Sequence, residues 1–242
     1  MLEGHDEVLV AVFAYNEGPK IRRTLTRLRQ HGVPKVLVMD DGSTDGSLDN
    51  AERGFGVRVL RNPRNLGIGA AMKRVFRHAL EAGVEVLVIM AGNDKDDPAE
   101  IPLLVEPILQ GEYDFVQGSR FLPGGGYGQM PTYRVLATKY LHPWIFSLAA
   151  GARVTESTNG FRAFRTAILR DPRVKWEQDW LDRYELEPYL LFKAIRLGYR
   201  HLEVPVHKVY PPRAEGYTKM RPIRDWWSIL RPVVLLGLGL RD

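Results

Sequence analysis

The sequence predicts an α/β fold: a single domain built on a mostly parallel sheet with helices on both faces. Three observations lead there. Short apolar runs alternate with helix-period segments through the first half of the chain. Those runs are apolar on both faces, as strands covered by helices on each side must be. Finally, 242 residues suffice for one such domain with a sizeable core and are too few for two independent ones.

Val8 to Phe13 reads as a buried first strand. Pro19 then opens a helix in which Ile21, Leu25 and Leu28 recur at i, i+4 and i+7. Val36 to Met39 is the second strand and runs into Asp40-Asp41-Gly42-Ser43, after which Asp45 or Ser47 is suited to cap a helix. Val57 to Leu60 is the third strand. Ile68, Met72, Val75, Phe76 and Ala79 mark a helix, Val84 to Met90 a fourth strand, and Ile101, Leu104, Val105 and Ile108 another helix. The second half is less regular. Gly124 to Gly128 reads as a mobile loop, too glycine-rich to hold one conformation alone. Helices follow around Arg134 to Ala150 and Glu185 to Leu197, with a Thr158-Asn159-Gly160 turn between them and a strand at His201 to Val206 after them. No repeat and no linker interrupts the chain.

Composition narrows the function classes. With 45% hydrophobic and 26% charged residues the chain is neither disordered nor fibrous. Lys and Arg outnumber Asp and Glu by 34 to 29, for a net charge of +5 and a pI near 9.4. That balance fits work on phosphates or beside anionic lipid and does not by itself indicate nucleic acid. The absence of Cys excludes disulfides, thiolate metal sites and thiol nucleophiles. The first residues lack the basic and apolar regions of a signal peptide, and no apolar run reaches the roughly 18 residues of a membrane span. The expectation is a cytoplasmic protein that touches a membrane peripherally without crossing it.

In an open parallel sheet, ligands bind beyond the carboxyl ends of the strands, where the strand order reverses. Four successive strand ends carry polar loops here: Ala14-Tyr15-Asn16-Glu17, Asp40 to Asp45, Asn62 to Gly69, and Ala91-Gly92-Asn93-Asp94-Lys95-Asp96-Asp97-Pro98. Capping alone does not require so many. Each carboxylate still has a structural alternative, since Asp and Glu commonly start helices, and Asn65-Leu66-Gly67-Ile68-Gly69 can be a tight turn as readily as an anion cradle.

Taken together, Phe-Ala-Tyr-Asn-Glu, Met-Asp-Asp-Gly-Ser-Thr-Asp and Arg-Asn-x-Gly-x-Gly resemble the inverting glycosyltransferases of family 2. The nearest branch is that of the dolichyl-phosphate mannose synthases and related polyprenyl-phosphate glycosyltransferases. Gly118-Ser119-Arg120-Phe121, Thr158 to Arg162, Glu203 to Val206 and Arg213 to Lys219 continue the match in order, over roughly residues 7 to 225. The resemblance implies a GT-A fold, which is Rossmann-like, and a GDP- or UDP-linked sugar donor. It places Ala14, Tyr15, Glu17, Asp40, Asp41 and Gly69 around the nucleotide. It sets Arg120, Arg162, Arg213 and Lys219 near the phosphates, where Arg offers bidentate recognition, and leaves Glu156 as a base or acceptor-positioning group.

The fourth strand departs from the family pattern. The usual Asp-x-Asp, which holds Mg²⁺ or Mn²⁺ against the donor diphosphate, is Ala91-Gly92-Asn93 here. The expectation is a weakened metal site in which Asn93, Asp94 and Asp96 supply the oxygens, with Asp94 and Asp96 catalytic through that ion. The alternative is a solvated turn ahead of Pro98. An ionised phosphate acceptor needs no base, and no strong base is evident, so a polyprenyl phosphate acceptor is the leading reading. A hydroxyl acceptor on a soluble glycan or small molecule, and an inactive nucleotide-sugar-binding protein, are the alternatives. Residues 226 to 242 form a C-terminal amphipathic segment beyond a catalytic domain of residues 1 to 225. Its Trp226, Trp227 and Arg231 suit a lipid headgroup region, packing on the domain, or a homo-oligomer face equally.

Overall fold

The computed structural model describes residues 7–210 and 224–241. The first half alternates strand and helix: β1 (Val8–Ala14), α1 (Pro19–Gln30), β2 (Val36–Asp40), α2 (Ala51–Phe55), β3 (Arg58–Arg61), α3 (Ile68–Glu81), β4 (Val86–Ala91) and α4 (Ile101–Leu109). Then come β5 (Phe115–Ser119), β6 (Gly126–Tyr127), α5 (Thr132–Leu136), α6 (His142–Ala150), β7 (Arg162–Arg165), α7 (Ala167–Arg170), α8 (Leu186–Arg196), β8 (His201–Pro205), β9 (His207–Lys208) and α9 (Arg224–Gly237). The predicted α/β class is the observed one.

Among the described residues the main sheet has seven strands in the order β3-β2-β1-β4-β7-β5-β8. All pairings are parallel except those of β7, which runs antiparallel to both β4 and β5. Strand alternation divides the core in two. Val8, Val10, Val12, Val86, Val88 and Met90 face α1 and α4 on one side. Leu9, Ala11, Phe13, Leu87 and Ile89 face α3, α6 and α8 on the other. All seven residues of β1 are buried, which explains why its sequence shows no polar alternation. The chain steps outward in both directions from β1 and β4, so the crevice between their carboxyl ends is the switch point of the sheet.

Three expectations change. The stretch Gly124 to Gly128 is ordered by β6, which pairs in parallel with β9. Its glycines permit close approach: a Cβ on Gly126 would lie 2.7 Å from the His207 ring, and one on Gly125 2.7 Å from the Ser119 carbonyl oxygen. The helix expected over 134 to 150 is instead α5 and α6 joined by a π-helical segment, Ala137–Leu141. Asp45 caps no helix; it accepts hydrogen bonds from Gly18 N (2.9 Å) and Ser47 N (3.0 Å), tying the β1 loop to the β2 loop. Helix α9 packs on the domain, with Val233 fully buried in the core on the α3 side and Arg231 paired to Glu185 at 3.2 Å.

Candidate active site

The polar loops after β1, β2 and β4 lie at the switch point, and hydrogen bonds fix the first two to each other. Asn16 sits at φ 49°, a left-handed backbone that Asn tolerates. Its backbone N–H donates to Ser43 Oγ (2.9 Å) and its Oδ1 accepts from Thr44 N (2.7 Å). Ala14, opposite Asp40 in the sheet register, is buried, and Tyr15 beside it is half-buried. Glu17 pairs with Lys20 at 3.0 Å, one helical turn on.

The two carboxylates of the β2 loop build the loop. Asp40 accepts from Ser43 N (2.8 Å) and Arg61 Nε (2.7 Å). Asp41 accepts from Asn62 Nδ2 (2.7 Å), Leu66 N (3.0 Å) and Gly67 N (2.9 Å), so it clamps the loop after β3 against that after β2. Gly69 is needed for packing: a Cβ there would lie 1.9 Å from the Leu181 carbonyl oxygen.

After β4 the three acidic residues each meet a cation from another element. Asp94 lies against α1, accepting from Arg23 Nε (2.7 Å) and Arg27 (3.2 Å). Asp97 accepts from Arg27 (2.8 Å) and from Ala99 N (3.0 Å). Asp96 is buried, and its Oδ1 accepts from Lys208 Nζ at 2.6 Å. The Oδ1 of Asn93 is buried without a hydrogen-bond partner among the described residues. Among the described residues no three His, Asp or Glu come together in a group able to hold a metal ion. The donor set therefore does not fit a divalent cation: its charged oxygens are already matched by Arg and Lys, and one neutral amide remains.

The cations gather in its stead. Lys95 is buried between the β1 loop and the strand β9 region, its Nζ 4.8 Å above the Tyr210 ring. Burial, then the charges of Lys208 and Arg134, pull its ammonium down to about 8. Lys208 also donates to Asn159 Oδ1 (2.9 Å). Arg120 donates to the Tyr210 hydroxyl (2.9 Å), and Arg134 lies 5.9 Å from the same ring. Burial opposes the Arg120 charge, and the adjacent Glu156 carboxylate outweighs that, holding the guanidinium protonated.

Glu156 is fully buried and already engaged. It accepts from Arg120 N (3.1 Å) and Nε (2.7 Å), from a terminal nitrogen of the same guanidinium, and from Thr158 Oγ1 (2.9 Å). Arg162, also fully buried, donates to the carbonyls of Asn159 (2.6 Å) and Glu187 (2.8 Å), inside the fold. Arg213 and Lys219 lie outside the described residues. Sequence reasoning missed Lys95, Arg134, Lys208 and Tyr210 as site residues. Lys208 falls within a stretch from Lys193 to Arg224 that is rich in Lys and Arg, and a run of charge does not say which member turns inward.

Beside this cluster lies a pocket of about 160 Å³. Leu141, Ile145, Ile229 and Leu230 form its apolar wall, and Arg120, Arg134 and Lys208 line it as well. It runs between the α5–α6 segment and α9. His142, also in its lining, joins the two: its Nε2 donates to the Ile229 carbonyl (3.4 Å), so Nδ1 accepts from the Ser157 hydroxyl (2.6 Å). Burial lowers this imidazole to about 4, so it is neutral at pH 7.

Known proteins resemble this chain in sequence and in fold. An undecaprenyl-phosphate mannosyltransferase of Micrococcus luteus is 35% identical over 221 residues, spanning 88% of this chain and 87% of that protein. A polyprenol monophosphomannose synthase of Mycolicibacterium smegmatis is 30% identical over 224 residues, spanning 88% and 80%. Among solved structures, glucosyl-3-phosphoglycerate synthase from Mycobacterium tuberculosis, in complex with Mn²⁺, uridine diphosphate and glucosyl-3-phosphoglycerate, shares the fold. Its TM-score is 0.64 at 23% identity, over 97% of this chain and 81% of that one. The family model of glycosyl transferase family 2 matches residues 9–172. The chain belongs to glycosyltransferase family 2 and is a glycosyltransferase.

Proposed function

We propose that this enzyme transfers a sugar, with inversion, from a nucleotide diphosphate donor to a polyprenyl phosphate. The observation that carries the reading is the pocket that joins an apolar wall to Arg120, Arg134 and Lys208. An isoprenoid chain matches the wall, and its phosphate matches the cations. Two relatives named for undecaprenyl-phosphate and polyprenol phosphomannose chemistry support it.

The reaction is a displacement at the anomeric carbon. A phosphate oxygen of the acceptor forms the new C–O bond. The bond to the donor diphosphate breaks, its electron pair staying on the leaving oxygen, and no proton moves. An ionised phosphate needs no base, which agrees with a Glu156 whose oxygens are engaged by Arg120 and Thr158. In this reading Glu156 is a positioning residue, holding the Arg120 guanidinium toward the pocket, and the nucleotide lies over the β1 and β2 loops near Tyr15, Glu17 and Asp41.

The pocket's two walls carry the membrane contact. Tyr133, Tyr140, Trp144 and Leu148 on the α5–α6 side and Trp227 on α9 are all more than half exposed. Tyr133 meets Trp226 at 5.9 Å between ring centres, joining the two sides. Aromatic residues and nearby cations are the composition of a surface that rests in lipid headgroups. Among the described residues no helix is long and apolar enough to cross a membrane.

The test is transfer from a panel of GDP- and UDP-linked sugars to undecaprenyl phosphate in detergent, read as radiolabel entering the organic phase. Transfer to the lipid, weakened by Leu141→Glu through a raised KM for the lipid, is the expected outcome. Faster transfer to a soluble hydroxyl acceptor overturns the reading.

A further inference from the structure

We propose that Glu203 is a positioning residue of the acceptor site: it fixes the backbone from which Glu156 holds the Arg120 guanidinium toward the pocket. The inference rests on the polyprenyl phosphate acceptor proposed above and adds what sets one of its cations in place.

Connectivity is the first argument. Thr155 and Glu156 lie in the irregular stretch between α6 and β7, where no ladder or helix takes up their backbone N–H groups. Such groups need a partner inside a fold. Glu203 on β8, some 47 positions later, supplies it: its Oε1 accepts from Glu156 N (2.8 Å) and its Oε2 from Thr155 N (2.7 Å). Strand β8 pairs in parallel with β5, with Glu203 opposite Gln117 and Pro205 opposite Ser119, the residue before Arg120. Ser119 Oγ lies 2.8 Å from Thr155 Oγ1, a second tie between the same loop and the end of β5. The loop that carries Glu156 and the strand end that carries Arg120 are thus held on one frame.

Chemistry is the second. Glu156, fully buried, accepts from the Arg120 backbone and from two nitrogens of its guanidinium. The direction of that fork follows the Glu156 backbone. The other terminal nitrogen donates to the hydroxyl of Tyr210, which lines the pocket with Arg120 (2.9 Å). A displacement of about 1 Å in a substrate-positioning group is enough to slow a reaction heavily. Glu203 is not itself in the pocket lining, so it acts through Glu156 and Arg120. Burial pushes its carboxyl up from the ordinary value and the Glu156 charge adds to that, while the two N–H groups oppose both. A glutamine side chain there would lose one of the two acceptors and turn an amino group toward a backbone N–H.

The experiment is initial-rate kinetics on the wild type, Glu203→Gln and Glu203→Asp, with undecaprenyl phosphate in detergent and the most active of the GDP- and UDP-linked sugars, each varied in turn. Glu203→Gln should raise the KM for the lipid at least fivefold and leave the donor KM within twofold. Glu203→Asp, which keeps both oxygens and withdraws them by one methylene, should raise the lipid KM less. A residue that served stability alone would lower kcat through the folded fraction and leave both KM values unchanged. That result overturns the inference, and so does failure of both variants to fold. Hydrogen exchange of the Arg120 Nε–H, assigned in NMR spectra by its loss in Arg120→Lys, gives a readout independent of transfer. It should quicken at least tenfold in Glu203→Gln, and an unchanged rate also overturns the inference. No transfer to the lipid by the wild type overturns the acceptor reading and this inference with it. Transfer with an unchanged lipid KM in the variants overturns this inference alone.

Discussion

Asp41 shows how one side chain can hold two loops of a candidate binding site together. Its two oxygens accept three hydrogen bonds from the loop after β3, two of them from backbone N–H groups. Asp41→Ala removes a charged acceptor and leaves those donors short of partners. We expect it to cost about 2–3 kcal/mol of stability, read as a shifted midpoint in urea denaturation. Unchanged stability would mean that these loops are held together by other contacts. Gly69 makes a parallel case. A Cβ there meets the Leu181 and Arg183 carbonyl oxygens at 1.9 and 2.7 Å, so Gly69→Ala forces backbone apart and should cost about 1–3 kcal/mol in the same assay. At this scale the sequence was only partly legible. Residue type and spacing marked Asp40, Asp41, Asp94 and Glu156 as chemically able. Their partners come from other elements: Arg23 and Arg27 lie roughly 70 positions from Asp94, and Lys208 lies 112 from Asp96. Nothing local encodes such pairings.

Among the elements, the legible ones were those with a clean period. The apolar face of α1 and the continuous apolar run of β1 follow from the pattern of Ile21, Leu25 and Leu28 and from Val8 to Phe13. Strand β7 escaped, because Arg162-Ala-Phe-Arg has charged ends and is a strand only through its antiparallel pairing with β4 and β5. The order of the Gly124 to Gly128 stretch escaped too, since it comes from β9, some 80 residues later in the chain. The join between α6 and α9 carries a pH dependence. His142 is near 4 in the folded protein because burial disfavours its charged form, against an ordinary value of about 6.5 once unfolded. Between those values the unfolded chain binds the extra proton. Stability is therefore full above about pH 6.5 and falls as the pH drops toward 4. We expect a loss of roughly 2 kcal/mol from this group between pH 7 and pH 5. Urea melts at the two pH values check it, and His142→Gln should flatten the difference.

For the molecule as a whole, sequence order alone gave the class of fold, because the alternation of strands and helices leaves few ways to cover a parallel sheet. It gave less about the surface. The tryptophans of α9 were conspicuous, whereas the exposure of Tyr133, Tyr140, Trp144 and Leu148 comes only from the structure. With a net charge of +5 behind that face, the protein should sediment with vesicles containing anionic lipid more than with neutral ones. Added salt should weaken the association. Trp144→Gln with Leu148→Gln should lower it at every salt concentration while leaving circular dichroism unchanged. Equal sedimentation of the double variant would move the contact elsewhere.

Tyr210 connects the two halves of this picture. Its ring lies under the Lys95 ammonium and near the Arg134 guanidinium, and its hydroxyl accepts from Arg120. One residue thus lies against three cations, one in the loop after β4 and two in the lining of the apolar pocket. Under the proposed function, a shift of the ring on occupation of either side would alter the charges facing the other. The two substrates would then be thermodynamically linked, and linkage is reciprocal: the factor by which donor changes acceptor affinity is the factor by which acceptor changes donor affinity. Tyr210→Leu, which keeps an apolar side chain and removes the ring and hydroxyl, should bring that factor toward one.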